Sequence, residues 1–127
     1  MLNKQEGGNL KMPEYKKTIA IDFDGVIHKY SKGWQNGKIY DDPIEGALEA
    51  IVELVNKNYK VVVFTTREYT GAVREWIITK LHECKAVKGK SFDMKNFEVT
   101  NTKPPAIAYI DDRGIRFTNW KDMLNYF

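Results

Sequence analysis

Thr18-Ile19-Ala20-Ile21-Asp22-Phe23-Asp24-Gly25 is the stretch on which the reading of this chain turns. Apolar and β-branched residues in unbroken succession suit a strand covered on both faces of a sheet, since a strand with one wet face would alternate. Acidic residues and a glycine follow at once. The same change occurs twice more: Lys60-Val61-Val62-Val63-Phe64 gives way to Thr65-Thr66-Arg67, and Ala106-Ile107-Ala108-Tyr109-Ile110 gives way to Asp111-Asp112-Arg113. In open parallel sheets ligands bind in the crevice beyond the carboxyl ends of the strands, so the three polar clusters are expected to converge on one site.

The segments between these runs read as helices. Ile44, Ala47, Leu48, Ile51, Val52 and Val55 follow the i, i+3, i+4, i+7 spacing of one buried face. Asp42 is expected as its N-cap, with Pro43 at the first helical position and Glu45 placed for a capping box. Thr70 is expected to cap a second helix carrying Val73, Trp76, Ile77 and Leu81 inward. Asn119 should open a third, with Trp120, Met123, Leu124 and Phe127 on one stripe. Phe97 to Thr100 and Ile115 to Phe117 fit short extra strands. Strand and helix alternate throughout, which predicts an α/β fold: one Rossmann-like three-layer domain around a central, mostly parallel sheet with right-handed crossovers. Residues 17–127 make up that unit, without repeat or linker. Residues 1–16, with Gly7, Gly8 and Pro13 and no periodicity, read as a flexible leader.

Composition narrows the function classes. At 127 residues the chain has the size of one domain, and 43% hydrophobic residues with 29% charged is too rich in core-formers for a disordered protein. The single cysteine, Cys84, excludes an internal disulfide, and with only His28 and His82 beside it no structural zinc site can be built. Neither histidine falls within a polar cluster, so no catalytic part is expected of them. Of the net charge of +3, residues 1–17 contribute Lys4, Lys11, Lys16 and Lys17 against Glu6 and Glu14. Nucleic acid is therefore a possible partner that charge does not indicate. No apolar run approaches the ~20 residues of a membrane span and no secretory signal is visible, so a cytoplasmic protein without membrane contact is expected.

Asp22 and Asp24, two apart on an extended chain, project to the same side, and Gly25 permits the sharp turn that follows. With Asp111 or Asp112 from a neighbouring strand, three or four carboxylates crowd one edge. Such a concentration of negative charge is unfavourable unless a hard divalent cation occupies it, and all-oxygen ligation selects Mg²⁺ over zinc. A lone D-x-D-G is also compatible with ordinary loop carboxylates, and the two further clusters at matching strand ends weigh against that. An EF-hand loop does not fit, because Val26 and Ile27 stand where it needs an acidic residue and a glycine.

These residues resemble the motifs of the haloacid dehalogenase (HAD) superfamily of phosphohydrolases. Ile19 to Val26 looks like its first motif, Thr65 its second, with Thr66 the alternative, Lys103 its third, and Asp111-Asp112 its fourth, in the right order along residues 18–118. The resemblance implies that Asp22 is the nucleophile that becomes phosphorylated and Asp24 the general acid and base. It implies Mg²⁺ held by Asp22, by the backbone carbonyl of Asp24 and by Asp111 or Asp112. Lys88, Lys90 and Lys95 are substitutes for Lys103. Arg67 and Arg113, each directly behind a motif, are candidates either to receive substrate anions at the rim or to form surface ion pairs.

Substrate choice in that superfamily is often set by cap insertions, and the stretch from Gly25 to Pro43 is long enough only for a short flap. Asn36-Gly37 offers it a tight turn. Its Tyr30, Trp34 and Tyr40 either stack on a nucleobase or grip a polyanion, with Trp34 as the candidate contact, or they pack the flap against the core. The expected function is a magnesium-dependent phosphomonoesterase acting on a small phosphorylated metabolite or nucleotide, with polynucleotide 3'-phosphate ends as the alternative substrate. A non-catalytic phospho-acceptor such as a response-regulator receiver is the competing class. A receiver places its Lys after the phosphorylated Asp and Thr, whereas here Lys103 precedes the second acidic pair, which favours the enzyme.

Overall fold

The apolar runs become the middle of a sheet because nothing else in the chain could satisfy their backbone groups while keeping both faces dry. A computed structural model describes residues 17–85, 87, 89–111 and 115–127. Strands β1 (Thr18–Asp22), β2 (Lys60–Phe64), β3 (Phe97–Thr100), β4 (Ala108–Asp111) and β5 (Ile115–Arg116) form one sheet in the order β3-β2-β1-β4-β5, every neighbouring pair parallel. Helices α1 (Ala47–Asn56), α2 (Thr70–Glu83) and α3 (Trp120–Leu124) complete a small α/β Rossmann-like domain. The expectation of a mostly parallel sheet is met by one that is parallel throughout. The leader, Lys88, Asp112 and Arg113 lie outside the described residues.

Alternation along the strands sorts the sheet into two faces. Ile19 and Ile21, Val61 and Val63, Phe97 and Ile110 share one face and join Ala47, Ile51 and Leu54 of α1, Val73 and Ile77 of α2, and Trp120 and Met123 of α3 in a single core. The other face carries Ala20, Val62 and Tyr109. The β3–β4 connection runs along it: the Tyr109 hydroxyl donates to the Pro104 carbonyl, and the Lys103 ammonium lies 4.7 Å from the Tyr109 ring centroid.

β5 ends at Arg116 rather than Phe117, and the starts of α1 and β4 also differ from the sequence expectation. α1 begins at Ala47, not at Pro43, and Asp42 does not cap it; the N-cap is Gly46, with φ 84°. Tertiary pairing overrides the local signal here. The Ile44 N–H is taken by the Ile27 carbonyl at 2.7 Å and Pro43 bridges His28, so residues 42–44 are spent on holding the chain against the loop after β1. Gly46 is required by conformation and by space, since a Cβ there would lie 3.2 Å from Trp120 Cβ. β4 begins at Ala108 and not at Ala106; the Ile107 N–H already reaches the Thr18 carbonyl at 2.9 Å, while its side chain stands 60% exposed. Thr70 opens α2 without acting as its cap, and no side chain caps that helix. The third helix starts as expected, with Asn119 Oδ1 accepting the Asp122 N–H at 2.9 Å.

Candidate functional site

From β1 the chain steps to β2 and β3 on one side, then returns to place β4 and β5 on the other, so the strand order reverses between β1 and β4. In open parallel sheets such a reversal is where connections diverge and ligands bind, beyond the carboxyl ends of the two strands. β1 and β4 end there in Asp22 and Asp111. Ile21 pairs with Ile110, so the two aspartates occupy the next register position side by side, on the face of Ala20 and Tyr109. Both are half-buried. Asp22 Oδ1 accepts the Phe23 N–H at 2.9 Å, which fixes the carboxylate against the turn that begins behind it.

That turn is unusually tight. The Phe23 carbonyl accepts from the N–H groups of Val26, Ile27 and His28 at 3.3, 2.8 and 3.0 Å, and Gly25, with φ 83°, lets the chain reverse. His28 is thereby folded back onto Asp24. Its Nδ1 lies 2.8 Å from Asp24 Oδ1, while Nε2 accepts the backbone N–H of Asp41 at 3.0 Å. A backbone N–H can only donate, so Nε2 bears the lone pair and the proton sits on Nδ1, pointing at Asp24. The ring is fully buried, stacked on Phe23 at 5.4 Å and met edge-on by Trp76 and Tyr40.

Asp24 has two further donors. Arg67 reaches across from the end of β2 and grips the carboxylate with Nε to Oδ2 at 2.9 Å and Nη2 to Oδ1 at 3.0 Å. Its remaining Nη1 donates to the Gly37 carbonyl of the flap at 2.7 Å. Phe23, Tyr30 and Trp34 surround the guanidinium, with ring centroids 5.4 to 5.8 Å away. Arg67 is 6% exposed, so it is neither a rim residue nor a surface pair; it is a buried fork that joins two strand ends and the flap. A charge taken this far out of water is tolerable because each of its three nitrogens donates a hydrogen bond and a carboxylate balances it.

The other sequence candidates are placed as follows. Thr65 directly follows β2 and is 1% exposed; its N–H donates to the Thr100 carbonyl, and its Oγ1 accepts the Arg67 N–H at 3.1 Å. Thr66 is exposed. Lys103 is exposed beyond the end of β3, its ammonium resting on the Tyr109 ring, hence on the same face as Asp22 and Asp111. Trp34 stands 61% exposed, whereas Tyr30 and Tyr40 pack against His28. Among the described residues no group of three or more His, Cys, Asp or Glu side chains forms a metal-holding cluster. Asp24 turns its carboxylate to Arg67 and His28, away from the expected group of carboxylates, while Asp22 and Asp111 end the neighbouring strands β1 and β4.

The flap holds itself together without becoming a ladder. Asn36 and Gly37, with φ 54° and 77°, make the expected tight turn, closed by the Lys38 N–H on the Gln35 carbonyl at 3.0 Å. Tyr40 Oη accepts the Lys32 N–H and donates to the Gly33 carbonyl. At its base Asp41 accepts from the Ser31 hydroxyl and from the N–H groups of Ser31 and Asp42, and these bonds, the hydroxyl first, pull its pKa down to about 2.

His28 is the residue that sequence reasoning passed over. The available signal was its spacing, four residues after Asp24 and directly behind the apolar pair Val26-Ile27, where a polar ring has to be buried with a partner. Comparison of the chain with protein-family models, with curated proteins and with solved structures finds no match. Among the described residues no helix is long and apolar enough to cross a membrane.

Proposed function

We propose that this chain is a phosphomonoester hydrolase that works with Mg²⁺ through an aspartyl phosphate on Asp22, in keeping with its resemblance to the HAD phosphohydrolases. The observation that supports this reading is the adjacency of Asp22 and Asp111 on one face at the switch point of a parallel sheet. The donor set suits the ion: magnesium is commonly held by one or two carboxylates, with water and substrate phosphate filling the other positions. Asp22, Asp111 and the backbone carbonyl of Asp24 are the ligands proposed, with Asp112 outside the described residues. When bound, the ion offsets the charge on the phosphoryl oxygens, without which anion would repel anion.

The rest falls to the chain. A carboxylate oxygen of Asp22 attacks phosphorus and the ester P–O bond breaks, the leaving oxygen taking a proton from Asp24. Water then attacks the aspartyl phosphate and gives its proton to Asp24, which restores Asp22 and releases phosphate. Thr65 has a hydroxyl proton with no acceptor among the described residues, ready for a phosphoryl oxygen. Lys103, on the same face, supplies a second positive charge. Asp24 accepts at all three of its contacts, so to carry a proton it must first yield one of them; loosening of the Arg67 fork is part of the proposed cycle. The substrate is a small phosphorylated metabolite or nucleotide, and a cytoplasmic location belongs to the same proposal.

The engagement of Asp24 favours a second reading, a phospho-acceptor that keeps its phosphate because its acid and base is tied down. One experiment separates the two. Phosphate release is followed with Mg²⁺ from nucleotides, sugar phosphates and 3'-phosphorylated oligonucleotides, and phosphorylation of Asp22 is read by mass spectrometry. Turnover that Asp22→Asn abolishes supports the hydrolase; stable phosphorylation without turnover supports the acceptor. Equal hydrolysis by wild type and Asp22→Asn refutes both.

A further inference from the structure

Between the flap and the start of α2 lies a cleft of about 210 Å³ lined by Trp34 and Tyr69. Both rings stand in water, Trp34 61% and Tyr69 75% exposed. One exposed aromatic is ordinary; two lining the same cleft beside a reactive centre are a recognition feature. The indole is also held in place. Arg67 lies 5.4 Å from its centroid, and Gly37 presses so close to its edge that a Cβ there would come within 3.3 Å of Cη2. A backed aromatic plane of this kind is a stacking platform.

The polar groups at the cleft decide what would stack. Asn36 and Glu68 line it, offering an amide and a carboxylate. Arg67 is the one cation among the described lining residues, and its charge is committed to Asp24. A phosphate or a run of nucleic-acid backbone would meet a carboxylate there with no spare positive charge. A flat, uncharged ring carrying N–H donors meets two aromatic faces, an acceptor and an amide. Drug-sized pockets run from about 300 to 1,000 Å³, so this cleft takes one ring system and leaves the remainder of the ligand outside. Arg67 is a wall of the cleft and a partner of Asp24, which sets the ring beside Asp24, two residues along the chain from Asp22.

We propose that this cleft is a nucleobase subsite and that the substrate is a nucleoside monophosphate, its base stacked on Trp34 and Tyr69 and its phosphate at Asp22 and Asp111. The phosphate half of this rests on the hydrolase reading above; the base half does not. Titration calorimetry of the full chain with unphosphorylated adenosine, guanosine, cytidine and uridine tests it. At least one nucleoside should bind wild type and Asp22→Asn alike, and bind Trp34→Ala and Tyr69→Ala roughly ten-fold or more weakly, while ribose binds none. Both rings are exposed, so neither variant threatens the core.

The proposal is overturned if no nucleoside binds, if both variants bind as wild type does, or if a phosphotyrosine peptide occupies the cleft and nucleosides do not. Glycerol phosphate with Mg²⁺, which has no ring, reports on the catalytic reading separately. Its hydrolysis without nucleoside binding defeats the subsite alone, and nucleoside binding with no phosphate released from it or from any nucleoside monophosphate defeats the catalytic reading alone.

Discussion

Asp22 and Asp24 stand two residues apart, the one at the end of β1 and the other in the turn behind it, and the fold treats them in opposite ways. Asp24 is gripped by Arg67 and His28, its side chain 19% exposed among aromatic rings. Asp22 ends β1 at the register position next to Asp111 of β4, and both are half-buried. One carboxylate is tied to Arg67 and His28; the other ends β1 beside the end of β4, where the proposed function places a ligand. Identical chemistry in the sequence therefore meets two different surroundings according to the donors each side chain reaches.

The sharpest way to break this contrast is to remove the fork. Arg67→Ala leaves Asp24 with its charge largely out of water and the Gly37 carbonyl without its donor, and should cost about 3–5 kcal/mol in denaturant unfolding. A loss under 1 kcal/mol would mean that Arg67 does not anchor the site. Next comes His28→Asn, which can keep a donor for Asp24 while stripping the Asp41 N–H of its buried acceptor; a loss of roughly 1–3 kcal/mol is expected. Crystals or NMR spectra of that variant should show Asp24 unmoved and the base of the flap displaced. Lys103→Ala gives up only a cation–π contact on an exposed side chain, at most about 1 kcal/mol. If Lys103 serves the phosphoryl group, that variant slows turnover far more than it destabilises the fold.

The smallest effect is electrostatic and appears only in acid. Asp41 has a pKa lowered from 3.8 to about 2 by the Ser31 and Asp42 donors. A carboxylate depressed in the folded state contributes stability that is fully present above its unfolded pKa and is lost as pH falls through the folded value. The flap should therefore loosen between about pH 4 and pH 2, as read by amide exchange at Ser31 and Asp42. Asp41→Asn should flatten that pH dependence; an unchanged profile would assign the loosening to another group.

How much of this was legible in the chain depends on the range over which each signal acts. β2, β3 and the Asn119 cap were readable to the residue, because apolar runs and a capping side chain act locally. The start of α1 was not. Asp42-Pro43-Ile44-Glu45 carries every local mark of a helix opening, yet Ile44 bonds Ile27 and Pro43 bridges His28, partners that only the folded chain supplies. The same holds at the site. The strand ends announced Asp22, Thr65 and Asp111, since a parallel sheet gathers such ends by topology. Arg67 and His28 took their roles from a flap that returns over them; the spacing of His28 from Asp24 hinted at a buried partner, but the return of the flap has no local mark.

The adjacency of Asp22 and Asp111 carries the functional account, and the magnesium dependence of phosphate release tests it most directly. Rates are measured across a magnesium series for wild type, Asp22→Asn and Asp111→Asn with one hydrolysed monoester. The account predicts magnesium-dependent release by wild type, none by Asp22→Asn, and release by Asp111→Asn only at magnesium concentrations roughly ten-fold or more higher. Release that ignores magnesium, or that survives Asp22→Asn unchanged, would contradict it.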